Sequence, residues 1–396
     1  MEMEYAHSLT TFTLLIAALG VLSLSVPLLL FNNHNSPAHL PLVVFLICSG
    51  IANGLPAFIE FYPTLELYGL AIWLPCYLLM PASLWLYTKA VTSPTPWYLR
   101  QQTRWHLLPA GLALLASVLL ATLPKETLEQ IFNSDAAPPA GWPQLVVIGA
   151  FALMVLWLFL SGVYVVRILI TLIRYRASLK NLFANNEKRE LHWLSWAVAV
   201  LAGTWVLSMF FSIPLLSNQS LPLPIDLMAV MHFVLLWSLS LFGLHQKPGF
   251  EGRYLVPTES HPETNGNNSI SEKYQKSGLQ EQQLERIAEK VEHAMGGQKL
   301  YLDSTLSLQK LALEIQVSPN YLSQTLNETL DKSFYDYVNG WRIQHAIPEV
   351  LQAQKTVLDI AMDVGFNARS SFYKAFKSET GHTPSEYRKR NTSNTH

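Results

Sequence analysis

Seven long apolar stretches fill the first 247 residues, and they constrain the fold more than any other feature of the chain. They cover residues 9–31, 40–62, 65–91, 105–123, 143–173, 191–216 and 223–244. About 20 apolar residues cross the hydrocarbon core of a bilayer, and each stretch reaches or approaches that length. Several contain Pro or Gly, which membrane helices tolerate. Trp and Tyr gather near many of the ends, where an interfacial belt places them. The first stretch follows Met1-Glu-Met-Glu, without the Lys or Arg that opens a cleaved signal peptide, so a retained span is expected. The 396-residue chain is only 14% charged, whereas a soluble domain carries about a quarter. The deficit lies in residues 1–247; residues 248–396 are ordinary and polar.

Basic residues predict the orientation. With the N-terminus outside, the inner loops hold Lys89, Arg100 and Arg104, then Arg174, Arg176, Lys180, Lys188 and Arg189, while the outer loops hold only Lys125. That asymmetry satisfies the positive-inside rule. Seven spans then leave the C-terminal part in the cytoplasm, beside DNA. The net charge of −1 says nothing about nucleic acid. Cys48 and Cys76 sit in apolar runs and read as small buried hydrophobes, with no disulfide or CxxC pattern.

Residues 248–277 are rich in Gly, Pro, Asn, Ser and Glu and read as a flexible linker. An amphipathic helix is predicted over 278–295, within a juxtamembrane segment 278–298. Its stripe is Leu284, Ile287, Ala288, Val291 and Met295, and Gly296-Gly297 ends it. The stripe either packs on the domain that follows or makes a homodimer.

From residue 299 onward the signals are dense. Residues 307–315 read as a short helix with Leu308, Leu311, Ala312 and Ile315 inward. Ser318-Pro319 is an N-cap followed by Pro at the first helical position. The helix it opens, 319–330, buries a combination of Tyr321, Leu322, Thr325 and Leu326, and exposes Asn320, Ser323, Gln324 and Asn327. Near the end of the chain a second pair appears. One helix ends at Gly365, and another starts at about Ala368 behind Asn367, a good N-cap. Phe366, Phe372 and Phe376 point inward; Arg369, Ser370, Tyr373, Lys374 and Lys377 stay outside. Thr383-Pro-Ser-Glu is a capping box for a final helix, with Pro384 at its first position. Two helices across a tight turn, the second polar outside, form a helix-turn-helix able to enter a major groove.

The two pairs repeat weakly. Leu311-Ala312 matches Ile360-Ala361 at an offset of 49, while Leu322 and Leu326 match Phe372 and Phe376 at an offset of 50. The second turn therefore holds one extra residue. Between the pairs, Ser333-Phe-Tyr-Asp opens a helix predicted to reach about Ala353. Pro348 lies within it, and a mid-helix Pro costs about 3 kcal/mol, so a kink or an end is expected there.

These residues resemble the AraC/XylS family of bacterial transcription regulators. The resemblance covers about 300–390 and rests on Tyr321-Leu-Ser, Phe334-Tyr-Asp-Tyr-Val-Asn, Arg342, Ile360-Ala, Val364-Gly-Phe, Ser371-Phe, Phe376-Lys, Thr380-Gly and Thr383-Pro-Ser-Glu-Tyr-Arg. It implies an AraC-type DNA-binding domain over 299–396; together with the seven-transmembrane-helix domain expected over 1–247, the all-α chain looks like the membrane-attached branch of that family, in which the apolar part stands where a soluble effector domain would otherwise be. Two helix-turn-helix units joined by a linker helix would read double-stranded promoter DNA and work with RNA polymerase at the inner membrane. Ser318, Asn320, Tyr321, Ser323, Gln324, Asn327, Asn367, Arg369, Ser370, Tyr373, Lys374 and Lys377 are the expected DNA-facing residues. Arg342, Gly365, Phe366 and Pro384 are expected to be structural, Arg342 as a buried charge paired with a carboxylate. Residues 318–330 carry no Lys or Arg, so phosphate attraction should lie in the second unit, with Arg369, Lys374, Lys377, Arg388, Lys389 and Arg390.

Polar groups inside spans are candidates for sensing a small-molecule or membrane signal. Asn53 and His232 lie within stretches two and seven, and Glu60 and Asp226 at ends expected to face outside. No metal spacing, cofactor loop or nucleophile–base pair is visible, so no enzyme is expected. The competing class is a membrane transporter or membrane enzyme with a regulatory appendage, but paired intramembrane charges and a clear repeat across the spans are not seen.

Overall fold

The computed structural model describes residues 9–31, 37–62, 66–94, 97, 104–124, 127–128, 140–186, 189–212, 225–246 and 270–393. The chain forms two compact units, residues 1–172 with 191–254 and residues 173–190 with 255–396.

The first unit holds α1 (Leu9–Phe31), α2 (Leu40–Phe61), α3 (Glu66–Val91), α4 (Leu108–Ala121), α5 (Trp142–Lys180), α6 (His192–Ser212) and α7 (Ile225–His245). α5 runs on for 39 residues, past Leu172 where this unit ends. Among the described residues, three helices are long and apolar enough to cross a membrane, over Thr10–Phe31, Trp142–Lys180 and Leu227–His245; shorter apolar helices cover Leu40–Leu55, Trp105–Ala121 and His192–Leu207. The expectation of seven full spans is therefore met in part. The clearest shortfall is the fourth stretch. Pro109 sits in the first turn of α4, residues 105–107 form a separate 3-10 turn, and 14 α-helical residues remain. At 1.5 Å per residue such a helix is about 21 Å long, short of a 30 Å hydrocarbon core. Large apolar side chains face outward, among them Phe31 at 81%, Trp196 at 74% and Phe159 at 68% exposure. Between α1 and α7, Ser25 Oγ donates to Ser240 Oγ at 3.1 Å, both buried.

The second unit contains α8 (Ile270–Gly296), α9 (Leu308–Glu314), α10 (Pro319–Gln324), α11 (Phe334–Gln352), α12 (Val357–Asp363), α13 (Arg369–Thr380) and α14 (Pro384–Ser393). Residues 270–277, expected as linker, are helical; the rest of that segment lies outside the described residues. Ile287, Val291, Ala294 and Met295 of α8 are buried in a first core with Leu311, Leu322, Leu326 and Phe334. The apolar stripe is thus used up inside the domain. A second core gathers Ile343, Ala346, Val350, Ile360, Phe366, Phe372 and Phe376. α11 contributes to both cores, because its buried residues recur along one side through five turns.

Pro348 does not end α11, which continues four residues beyond it. Pro348 and Gln344, whose carbonyl loses its helical donor, are both exposed, so water can replace the lost bond. The predicted helix 319–330 is α-helical only to Gln324 and ends in a π turn over Thr325–Thr329. Caps follow the sequence signals closely: Ser307, Ser318 and Ser333 each accept from the backbone N–H three residues on. Thr356 does the same for α12, a cap the sequence reading passed over.

Gly365 closes the second turn at φ +93°, and a Cβ there would lie 2.7 Å from the Leu302 carbonyl oxygen and 2.9 Å from that of Tyr301. Gly365→Ala must adopt a left-handed backbone and displace main chain, at about 2 kcal/mol or more. The expected outcome is a clearly lower thermal midpoint, read by near-ultraviolet circular dichroism of the full chain in detergent.

Candidate nucleic-acid interface

The two helix-turn-helix units, α9–α10 and α12–α13, share one turn geometry. In the first, Gln316 is left-handed at φ +57° and Val317 N donates to Ala312 O at 2.9 Å. In the second, Gly365 takes the left-handed position and Phe366 N donates to Ala361 O, also at 2.9 Å. These residues correspond at an offset of 49, whereas α10 and α13 begin 50 apart, at Pro319 and Arg369. The extra residue therefore follows the shared turn, and it is Asn367. This corrects its expected role: Ala368 is the N-cap of α13, with no side-chain cap bond, and Asn367 is an exposed insertion.

α10 presents Asn320 and Tyr321 outward, with Ser323 and Gln324 half-buried, and the π turn after it presents Asn327. Tyr321, counted among possible core residues, is 41% exposed; Leu322, Thr325 and Leu326 fill the core instead. Ser318 is exposed but is held as the cap, accepting from Tyr321 N at 3.3 Å. Two amides have partners within the helix: Gln324 Nε2 donates to Glu328 Oε2 at 2.8 Å, and Asn327 Nδ2 to Ser323 O at 2.8 Å. Asn320 is the exposed amide of this face with no described partner.

α13 carries the positive charge. Ser370, Lys374 and Lys377 are exposed. Arg369 donates from Nη2 to Tyr373 Oη at 2.8 Å, its guanidinium 4.9 Å from the Tyr373 ring centre. That contact fixes a flat cation above an aromatic ring at the start of the helix, suited to a phosphate or a guanine edge. Arg388, expected in the basic cluster, is half-buried and donates from Nε to Val350 O at 2.7 Å, tying α14 to α11. α14 opens with a reciprocal capping box: Thr383 N donates to Glu386 Oε2 at 2.8 Å, and Glu386 N to Thr383 Oγ1 at 3.4 Å. The Thr383 amide holds the Glu386 carboxyl below its usual range. Pro384 is buried at the first position of α14.

α11 separates the units. Its 19 residues span about 28 Å at 1.5 Å each, close to one turn of DNA at about 34 Å. Arg342, fully buried on it, is structural, but its hydrogen-bond partners are not carboxylates. Nε donates to Tyr301 O at 2.7 Å, Nη2 to Asp303 O at 2.9 Å, and Nη1 to Asn339 Oδ1 at 3.1 Å and Asn185 Oδ1 at 3.2 Å. Its guanidinium carbon lies 5.3 Å from the Phe366 ring centre. Burial pulls Arg342 down to about 10, with the nearby Asp303 charge opposing, so it remains a cation at neutral pH. Asn339 lies one helical turn before Arg342, at the end of the Phe334–Asn339 motif, whereas Asn185 could not be found in the sequence because no local pattern marks a hydrogen-bond partner 157 residues away.

In the first unit, Asn53 and His232 line one cavity of about 300 Å³ with Tyr77, Trp157 and Trp205. Asn53 Nδ2 is held by Ser49 O at 2.7 Å, and the indole N–H of Trp157 has no described partner. Glu60 and Asp226 lie on α2 and α7, but their side chains are outside the described residues. No cluster of three metal-ligating side chains occurs among the described residues.

Residues 311–390 match a family described as a helix-turn-helix domain. An uncharacterized HTH-type transcriptional regulator of Staphylococcus aureus (strain COL) is 34% identical over 90 residues, 23% of this chain and 12% of that protein. The melibiose operon regulatory protein of Escherichia coli (strain K12) is 29% identical over 87 residues, 22% of this chain and 29% of that protein. The chain thus spans under a third of the length of either relative. Among solved structures, the C-terminal domain of AraT, a response regulator from Geobacillus stearothermophilus, is 31% identical at a TM-score of 0.24, covering 26% of this chain and 84% of that one. The chain carries an AraC-type helix-turn-helix domain at its C-terminal end.

Lys374 is exposed on the outer face of α13. If it neutralises one phosphate, Lys374→Ala lowers the slope of log affinity against log salt by about one unit, uniformly across DNA sequences. A salt titration of DNA binding by the full chain in detergent measures this.

Proposed function

We propose that the chain is a membrane-bound one-component transcription regulator. Its C-terminal domain reads promoter DNA through two helix-turn-helix units, under control of the apolar N-terminal part. The observation that carries this reading is the pair of units mounted on one continuous linker helix, with polar and basic residues of α10 and α13 facing outward. The family match over 311–390 supports double-stranded DNA as the partner.

Membrane attachment draws support from the long apolar helices and their outward apolar side chains. The sensing role draws support from the cavity that joins Asn53 to His232. A small, mostly apolar or aromatic molecule with one hydrogen-bonding group fits such walls. The excess of Lys and Arg in alternate loops supports an N-terminus outside and a DNA-binding domain in the cytoplasm, where promoter and RNA polymerase are within reach.

Mapping the genomic fragments bound by the full chain in cells tests the DNA-reading function. Discrete promoter sites are expected, and a uniform distribution would sink the reading. Orientation is checked in intact cells with a membrane-impermeant maleimide. Cys48 and Cys76 are buried and should stay silent. Thr122→Cys, beyond the end of α4, should be labelled, and Ser378→Cys on α13 should not. Asn53→Leu and His232→Leu should leave the mapped DNA sites in place and change expression of the genes beside them.

A further inference from the structure

One part of the second unit comes from far up the chain. Residues 173–190, the expected inner loop between the fifth and sixth apolar stretches, belong to it. After Lys180 the chain runs along the loop that leads into α9. Leu308 N donates to Leu182 O at 2.9 Å and Ala184 N to Leu306 O at 3.4 Å, around a single antiparallel bridge between Phe183 and Ser307. Ala184 is fully buried in the first core, and Asn339 Nδ2 of α11 donates to its carbonyl at 3.3 Å.

Asn185 then touches all three parts that define the separation of the helix-turn-helix units. Its Nδ2 donates to Ser304 O at 2.6 Å, in the loop before the first unit, and to Gly365 O at 3.1 Å, in the turn of the second. Its Oδ1 accepts from Arg342 Nη1 at 3.2 Å, on the linker helix. Only an amide supplies two donors and an acceptor in this arrangement. An aspartate in its place would face two carbonyl oxygens with no donor.

We propose that residues 182–186 form a clamp that sets the spacing of the two DNA-reading units, with Asn185 as its positioning residue. Covalent continuity makes the clamp a transmission element: the segment continues directly from α5 and precedes α6, so displacement of either helix end pulls on Asn185. The clamp is also built to let go. The side chain of Asn186 is buried at 2% exposure, and neither its Nδ2 nor its Oδ1 has a described partner. A buried, orphaned amide opposes seating, so the bonds of Asn185 work against it. This inference rests on reading α9–α10 and α12–α13 as one bipartite reader.

The test uses the full chain in detergent and DNA fragments selected from a random library by the wild-type chain. Inserting one base pair between the half-sites rotates and separates them, and should weaken wild-type binding by about tenfold. Asn185→Ala should bind a single half-site as the wild type does, yet lose most of that spacing penalty, to about threefold or less. A merely stabilising residue would not change the spacing preference. Should Asn185→Ala unfold the domain, the comparison is made with Phe183→Cys and Ser307→Cys cross-linked, since directly paired strand residues lie within disulfide reach. The cross-link keeps the segment seated while the amide is missing. An unchanged spacing penalty in Asn185→Ala would overturn the clamp alone. Failure of the wild-type chain to select any sequence would overturn the bipartite reader, and the clamp with it.

Discussion

A guanidinium sealed from water, that of Arg342, is the interaction about which the second unit is arranged. Two backbone carbonyls, of Tyr301 and Asp303, and two side-chain amides receive its N–H groups. Leaving one such buried group unpaired costs about 1–3 kcal/mol, more for a charge, so each acceptor must be held in place by something else. The Tyr301 carbonyl illustrates the constraint. It accepts from Arg342 on one side, and on the other it lies where a Cβ of residue 365 would stand. The need for glycine in the second turn is therefore a consequence of where the first unit's leading loop must place its carbonyls. Phe366, the next residue, packs its ring near the same cation.

The two helix-turn-helix units are the same device with different loads. Their turns superpose in hydrogen-bonding pattern, and the single extra residue, Asn367, enters after the turn. Residues 318–330 of the first unit carry no Lys or Arg, and two of their amides already have partners one turn on or back. The second carries Arg369, Lys374 and Lys377 outward. Outward positive charge is thus concentrated in the second unit, and the proposed reading of DNA places phosphate attraction there and geometry-dependent contacts in the first. Such a division makes the distance between the units matter, and that distance is carried by α11 and by the loops bonded to Arg342.

The apolar unit follows a looser logic. Its helices are continuous through Pro27, Pro75 and Pro81, and polar groups such as Ser25 and Ser240 satisfy each other. Helix length is uneven: α5 exceeds what a bilayer needs, and α4 falls short of it. The apolar stretches already differ in length, and in the shortest of them Pro109 in the first turn of α4 leaves residues 105–107 to a separate 3-10 turn.

Local rules carried much of the domain. Serine caps, the Thr383–Glu386 box, the inward aliphatic and aromatic periodicity and the left-handed glycine could be read directly, because each depends on residues within four positions of one another. Tertiary contact decided the rest. Asn367 had the chemistry of a cap, but the added residue placed Ala368 at that position. Pro348 looked disruptive, yet lies on a solvent-facing side where water can take the freed carbonyl. Arg388 resembled a phosphate contact, but the end of α11 lies within its reach. Arg342 was legible as buried and structural, but most of its acceptors were not: Asn339 stands one turn before it on α11, whereas Asn185 is brought in by packing from a loop more than 150 residues upstream. By itself the sequence determined the helical character of the described residues, an apolar part and a double helix-turn-helix part, since hydrophobic periodicity and capping act locally. Only the tertiary structure decided that the loop after α5 belongs to the second unit, because a hydrogen bond between distant residues leaves no periodic trace in the chain.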